Sequence, residues 1–275
     1  MLVVKLGGTE GVNFGPICRD VAHLVQEGRS VVLVHGGSAE ANALGEALGH
    51  PPRFVTSPSG FTSRYTDRKT LEIFAMAVLG RVNALLVEQL LALGVPAVGL
   101  SGMDGGLLRA RRKGAIRIIE GGKRKILRGD YTGKIEAVHR DLLDRLLEGG
   151  YVPVVAPLAI SHQGEMLNVD ADRAAAALAA ALGAEALVLL TAAPGLLERF
   201  PDESTLIARM PASRLEQAMQ YAQGRMKKKV LAAQEAVQGG VARVIIADGR
   251  VEERPLLRAL EGAGTWILAP GVSSP

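Results

Sequence analysis

The sequence predicts an α/β protein built on one open, doubly wound, mainly parallel sheet with helices on both faces. Short Val/Leu/Ile runs read as strands without polar alternation, as in strands covered on both sides. Helical stripes separate these runs along the chain, the order of a helix-crossover sheet. Glycine pairs follow two of the runs, and such sheets bind ligands outside the carboxyl ends of their strands.

The first strand is expected at Leu2–Leu6. Ile17, Val21, Leu24 and Val25 then form a helical stripe that stops at Gly28, before the apolar run Val31–Val34. The helix-then-strand unit recurs as Asn83–Leu93 with Pro96–Leu100, and as Arg140–Glu148 with Val152–Ala156. It returns as Ala171–Leu182 with Ala186–Leu190, and as Met226–Gln238 with Ala242–Ala247. Residues 107–135 lack a helical stripe and read as a hairpin turning at Gly121–Gly122. The Ser/Thr/Pro-rich stretch 53–67 reads as an ordered loop.

At 275 residues and 48% hydrophobic content, the chain is long enough for one large domain or two fused lobes with an ample core. The net charge of +4 balances 32 basic against 28 acidic residues, which argues against a general nucleic-acid coat. Cys18 is the single cysteine, so the chain builds no intrachain disulfide and no cysteine zinc site, in keeping with a reducing cytoplasm. There is no signal-like N-terminus and no run of about 18 apolar residues. The expectation is a cytoplasmic protein without membrane attachment.

Gly7 and Gly8 directly follow the first strand, where the missing Cβ atoms let backbone N–H groups approach a phosphate, and Lys5 supplies a point charge beside them. The second strand ends in His35-Gly36-Gly37 before a helix expected from Glu40. A helix N-terminus behind a glycine turn favours an anion, so the two pairs suggest adjacent anionic sites. His35 is read as a packing or hydrogen-bonding residue, not a base.

Asn168, Asp170 and Asp172 precede or open the Ala-rich helix. Capping accounts for at least one aspartate, while the four-residue spacing lets Asn168 and Asp172 face one cleft. Lys227, Lys228 and Lys229 occupy the first turn of a helix, where the macrodipole disfavours cations. Lys227 and Lys228 are assigned to a solvated face, and Lys229, at the apolar boundary, is the functional candidate. No P-loop sequence occurs. The kinase-like "HRDL" at 139–142 lacks its later Asn and D-F-G partners, so it reads as an exposed helix start.

Lys5-Leu6-Gly7-Gly8, His35-Gly36-Gly37, Asn168-Val169-Asp170-Ala171-Asp172, "LLTAAPGLL" at 189–197 and Met226-x-x-Lys229 occur in that order. The chain thereby resembles the amino acid kinase family over nearly its whole length, and looks most like its acetylglutamate kinases. The resemblance implies a three-layer αβα sandwich with an open, mainly parallel central sheet. It implies an acceptor-binding and dimerisation lobe over residues 1–184, an ATP-binding lobe over 185–275, and a homodimer through N-terminal-lobe helices.

By match to the family, Lys5 and Lys229 would stabilise the transferring phosphoryl group and Asp172 would orient them. Gly7 and Gly8 would cradle the phosphates of ATP, whose magnesium accompanies it without a protein-built metal site. Gly36, Gly37, Arg64 and Asn168 would grip the acceptor. Thr191, Gly195 and Leu197, with Tyr221 and Met226, would line the nucleotide. Members commonly carry an acidic residue after the Ser/Thr of the nucleotide strand; here Ala192 follows Thr191. A carboxylate acceptor suits the absence of a catalytic base, because it is already ionised at neutral pH.

Between Arg109 and Arg128 stand nine Lys/Arg and one acid, Glu120. Together with "HGGSAEANAL" and "GFTSRYTDRKTLE", this looks like the branch that phosphorylates α-aminoadipate linked to a small acidic amino-group carrier protein in lysine biosynthesis. The basic hairpin would dock the carrier. A free acetylglutamate kinase of arginine biosynthesis is the second reading, and a non-enzymatic regulatory or binding protein the third. Nucleic acid is not expected as a partner, since the hairpin offers only Tyr131 for stacking.

Overall fold

The computed structural model describes residues 1–8 and 11–272. The chain runs β1 (Leu2–Leu6), α1 (Phe14–Gln26), β2 (Val31–His35), α2 (Ser38–Ala47), β3 (Arg53–Thr56), β4 (Thr62–Tyr65) and α3 (Arg68–Ala75). A π-helical segment, Met76–Asn83, joins α3 without a break to α4 (Ala84–Ala92). Then follow β5 (Ala97–Ser101), β6 (Leu108–Glu120), β7 (Lys123–Val138), α5 (Asp141–Glu148), β8 (Val152–Ala156), β9 (Leu158–Ser161), β10 (Met166–Asn168), α6 (Ala171–Leu182) and β11 (Ala186–Thr191). The chain closes with β12 (Arg209–Pro211), α7 (Leu215–Tyr221), α8 (Met226–Gln238), β13 (Arg243–Asp248), α9 (Pro255–Leu260) and β14 (Thr265–Leu268).

Eight strands form the main sheet in the order β12-β14-β13-β11-β1-β2-β8-β5, parallel throughout except for β13 against β14. Alternation along the strands divides its core in two. Leu2, Val4, Leu6, Leu33 and Val188 pack under α1, α4 and α9, while Val3, Val32, Val34 and Leu187 pack under α5, α6 and α8. The sandwich therefore has three layers. Lys5 shares the face of Val3 by the period of two, which turns it toward α6 and α8.

Two expectations are corrected. The sheet is not the sole one: a second sheet of six strands runs β4-β3-β6-β7-β10-β9, with β9 also pairing β6. The long β6–β7 hairpin supplies the ladder on which these short strands assemble. Residues 53–67 are likewise no loop, because β3 and β4 pair antiparallel from Arg53↔Tyr65 to Thr56↔Thr62. Their Ser/Thr content hides the pattern, and pairing of Thr56 with Ile119 of β6 ties them to the second sheet.

The helix expected at Asn83–Leu93 starts much earlier, at Arg68, where the Asp67 carboxylate accepts from Thr70 N–H at 2.7 Å as an N-cap. The continuous helix Arg68–Ala92 is long and apolar enough by length and composition to cross a membrane. Its Leu71, Phe74, Val78, Val82, Leu86 and Leu90 are buried in the protein.

Candidate active site

The carboxyl ends of β1, β2 and β11, adjacent in the sheet, open into one cavity of about 1100 Å³. Its walls include Lys5, Gly7, Gly8, Gly36, Gly37, Arg64, Asn168, Asp172, Thr191, Gly195, Leu197, Tyr221, Met226 and Lys229. Every site residue selected from sequence thus lines the same space.

Glycine at the two turns is a matter of space. A Cβ on Gly8 would stand 2.1 Å from Gly37 N, and one on Gly36 would stand 2.7 Å from Gly8 N. The two strand-end turns therefore touch backbone to backbone. Gly7 N–H donates to Leu190 O of β11 and Gly36 N–H to Leu6 O of β1, which hold the turns in register. Gly8 N–H and Gly37 N–H have no acceptor among the described residues, and both glycines line the cavity.

Asp172 sits in the first turn of α6, with Asp170 as the N-cap accepting from the N–H groups of Asp172 and Arg173. The Asp172 carboxylate takes the Lys5 ammonium at 2.7 Å on Oδ1 and the Lys229 ammonium at 2.9 Å on Oδ2. The three residues are only 5–6% exposed. Burial alone would raise the Asp172 pKa, but Lys229 and Lys5 outweigh it and hold the carboxyl well below the usual range. Lys5 is pushed down by burial and by Lys229, against the pull of Asp172. Two cations and one anion leave a net positive charge in a cavity with free N–H donors, an arrangement suited to an anion carrying several oxygens.

Arg64, on β4, is 7% exposed and donates to Asn42 Oδ1 at 2.6 Å. Its guanidinium lies over the Phe54 ring, 5.1 Å from the centroid. Burial, and secondarily Arg225, lower its pKa. Asn168 closes β10 and donates to Thr66 Oγ1 at 3.1 Å. On the opposite side, a Cβ on Gly195 would meet Thr265 Oγ1 at 2.6 Å, and Thr265 Oγ1 accepts from Leu196 N–H.

Sequence reasoning missed several lining residues. Lys228, assigned to a solvated face, lies 3.2 Å from Asp170 on the cavity wall. Arg225, one residue before α8, lines the cavity too, within the stretch 221–226 that the family resemblance places at the nucleotide. Phe200 lines the cavity with its side chain largely exposed, and nothing in its local sequence marks it. The lining acids are each engaged, Asp170 with Lys228, Asp172 with two lysines and Glu235 with Arg173. Among the described residues no three acidic, imidazole or thiol groups converge as metal ligands.

A three-layer sandwich with paired ammonium groups and open backbone donors at adjoining strand ends has the anatomy of a phosphotransferase. The family model described as the amino acid kinase family matches residues 1–248, and the chain belongs to that family. The LysW-aminoadipate kinase of Thermus thermophilus is 55% identical over 97% of this chain and 100% of its own length. The enzyme of the same name from Deinococcus radiodurans is 55% identical over 97% of this chain and 91% of its own. Among solved structures, the smu.665 protein of Streptococcus mutans superposes with a TM-score of 0.78 at 24% identity, covering 97% of this chain and 98% of that one.

Proposed function

We propose that the chain transfers the γ-phosphoryl group of ATP to the side-chain carboxylate of α-aminoadipate held on a LysW-type carrier protein, giving an acyl phosphate in lysine biosynthesis. The observation that carries this reading is the pair of ammonium groups, Lys5 and Lys229, joined by one buried Asp172 in a cavity that the strand-end glycines Gly7, Gly8, Gly36 and Gly37 help to line. The names of the two bacterial relatives point to the same acceptor.

In the reaction, an acceptor carboxylate oxygen forms the new O–P bond while the bond from the γ-phosphorus to the β-bridging oxygen breaks and ADP leaves. The carboxylate is ionised at neutral pH, so no residue need remove a proton. Catalysis rests on positioning and on charge, as in phosphoryl transfer generally. Lys5, Lys229, Gly8 N–H and Gly37 N–H oppose the charge on the migrating group. Asp172 keeps the two lysines from repelling each other apart.

Arg64 and Asn168 hold the acceptor, which the bare Gly36 and Gly37 let approach; Gly8 N–H meets the phosphates, with Gly7 leaving room beside it. Thr191, Gly195, Leu197, Tyr221 and Met226 line the nucleotide, with residues 1–184 forming the acceptor lobe and 185–275 the ATP lobe. The engaged acids build no cage for Mg²⁺, so the ion would be held by the phosphates with which it arrives, supplying further positive charge.

The carrier docks on the β6–β7 hairpin. Arg111, Arg112 and Lys125 are already ion-paired, with Glu136, Glu165 and Glu120. The cross-strand register instead gathers Arg117, Arg124 and Arg128 on one face with Ile119 and Ile126, while Ile118 on the other face is buried. No ion pair engages these three arginines among the described residues. Ile126 is 62% exposed, an apolar centre inside a cationic rim that suits an acidic protein domain. A homodimer through the Arg68–Ala92 helix fits its exposed Met76, Leu85 and Leu91, and the buried lone Cys18 fits a reducing cytoplasm.

The test is ATP-dependent acyl-hydroxamate formation with two acceptors. Turnover with carrier-linked aminoadipate and none with free acetylglutamate is the expected result. Preference for free acetylglutamate would overturn the proposed acceptor.

A further inference from the structure

His35 ends β2 fully buried, and its neighbour Asn83, the last residue of the π-helical segment, is 5% exposed. Asn83 Nδ2 lies 2.8 Å from Val154 O and 2.9 Å from His35 Nε2. A carbonyl can only accept, so the amide atom facing Val154 is the NH₂ group, and chemistry fixes the orientation of the side chain. Its second hydrogen then points at His35 Nε2, which must be unprotonated to receive it. The imidazole proton therefore resides on Nδ1, which lies 2.7 Å from Gly36 O and donates to it.

This hydrogen bond sets the direction of another group. The peptide between Gly36 and Gly37 is trans and planar, so its C=O and N–H point to opposite sides. Holding Gly36 O toward His35 turns Gly37 N–H the other way, to the side where Gly8 and the cavity lie. Gly37 is the N-cap of α2, whose N–H lies outside the helical ladder and is free to meet an anion.

We infer that Asn83 is a positioning residue for phosphoryl transfer: it fixes His35 as the Nδ1–H tautomer, and that tautomer aims Gly37 N–H at the migrating group. The surrounding fold is shaped to this arrangement. A Cβ at residue 99 would meet Asn83 Oδ1 at 2.1 Å, which accounts for Gly99 in β5. The same π-helical segment presses Val78 on the turn, 2.6 Å from where a Gly37 Cβ would stand. One element thus seats both ends of the His35-Gly36-Gly37 turn, and π-turns recur at functional sites.

Burial brings the His35 pKa down to about 4, with Lys5 adding to the effect and the bond to Gly36 O opposing it. A charged imidazole would also set Nε2–H against the Asn83 NH₂, two donors face to face. His35 is thus neither a base nor a charge in the reaction.

The role of Gly37 N–H rests on the phosphoryl transfer proposed above, whereas the tautomer does not, and the two are measured separately. In the full-length protein labelled with ¹⁵N-histidine, His35 should show a neutral Nδ1–H ring that does not titrate between about pH 5 and 8. An Nε2–H ring, or titration in that window, overturns the inference. Asn83→Asp offers His35 an acceptor and should move the proton to Nε2. With carrier-linked acceptor, kcat should then fall about 10²–10³-fold, the loss for one oxyanion donor, with KM for ATP held. A moved proton with unchanged kcat overturns the positioning role, and the wild-type spectrum decides the tautomer even if the variant does not fold. An inactive wild-type enzyme would instead count against the proposed function and leave the tautomer result standing.

Discussion

The Nζ of Lys5, on the first strand of the chain, lies 2.7 Å from Oδ1 of Asp172, at the start of a helix far along the sequence. Lys229 meets the other oxygen of that carboxylate, so Asp172 bridges two buried ammoniums.

Removing that group separates stability from catalysis. Asp172→Asn leaves the two lysines uncompensated and should destabilise the protein by about 3–5 kcal/mol, measured by urea unfolding. Lys5→Met keeps one salt bridge and should fold, while kcat falls about 10²–10³-fold. Full activity in Lys5→Met would remove that lysine from the reaction.

The same triad gives a pH signature. The Asp172 pKa is depressed on folding, so the unfolded chain takes up this proton at a higher pH than the native state. Its stabilising contribution is complete above the unfolded value of about 3.9 and drains away as pH falls toward the native value. The stability gap between wild type and Asp172→Asn should therefore narrow below about pH 4, as followed by denaturant midpoints at stepped pH.

Gly8→Ala tests the contact of the two glycine turns. Its Cβ would lie 2.1 Å from Gly37 N and 2.5 Å from Gly36 C, all backbone, so no side chain can swing aside. Overpacking of about 1–3 kcal/mol is expected together with a kinetic loss larger than stability explains. A native-like thermal midpoint with normal kcat would show that the turns can part freely.

On the hairpin, reversal of Arg117, Arg124 and Arg128 to Glu should raise KM for the carrier-linked acceptor and weaken its salt dependence, leaving KM for ATP unchanged. Reversal of Arg111 and Lys125, which already face Glu136 and Glu120, should matter less. Equal effects from both sets would move the docking surface off the Ile119–Ile126 face.

Light scattering should report a dimer, and Leu85→Glu on the Arg68–Ala92 helix should shift it to monomer. A monomeric wild type would withdraw the proposed helix interface.

By itself, the sequence determined the layers of the main sheet and which charged and bare residues stand at its strand ends. Leu2–Leu6, Ala171–Leu182 and Met226–Gln238 were legible to the residue, because burial on both faces and helical stripes are local patterns. Lys5, Gly7–Gly8 and Lys229 were legible because charge or bare glycine at such positions needs a local reason. The pair β3 and β4 was not, since short Ser/Thr-rich strands draw their stability from a neighbour distant in sequence. Only the tertiary structure decided that Lys228 faces Asp170, that three of the hairpin cations are spent on internal pairs, and that Asn83 reaches His35. Each depends on where two remote backbones meet, and a single chain of letters carries no distance between them.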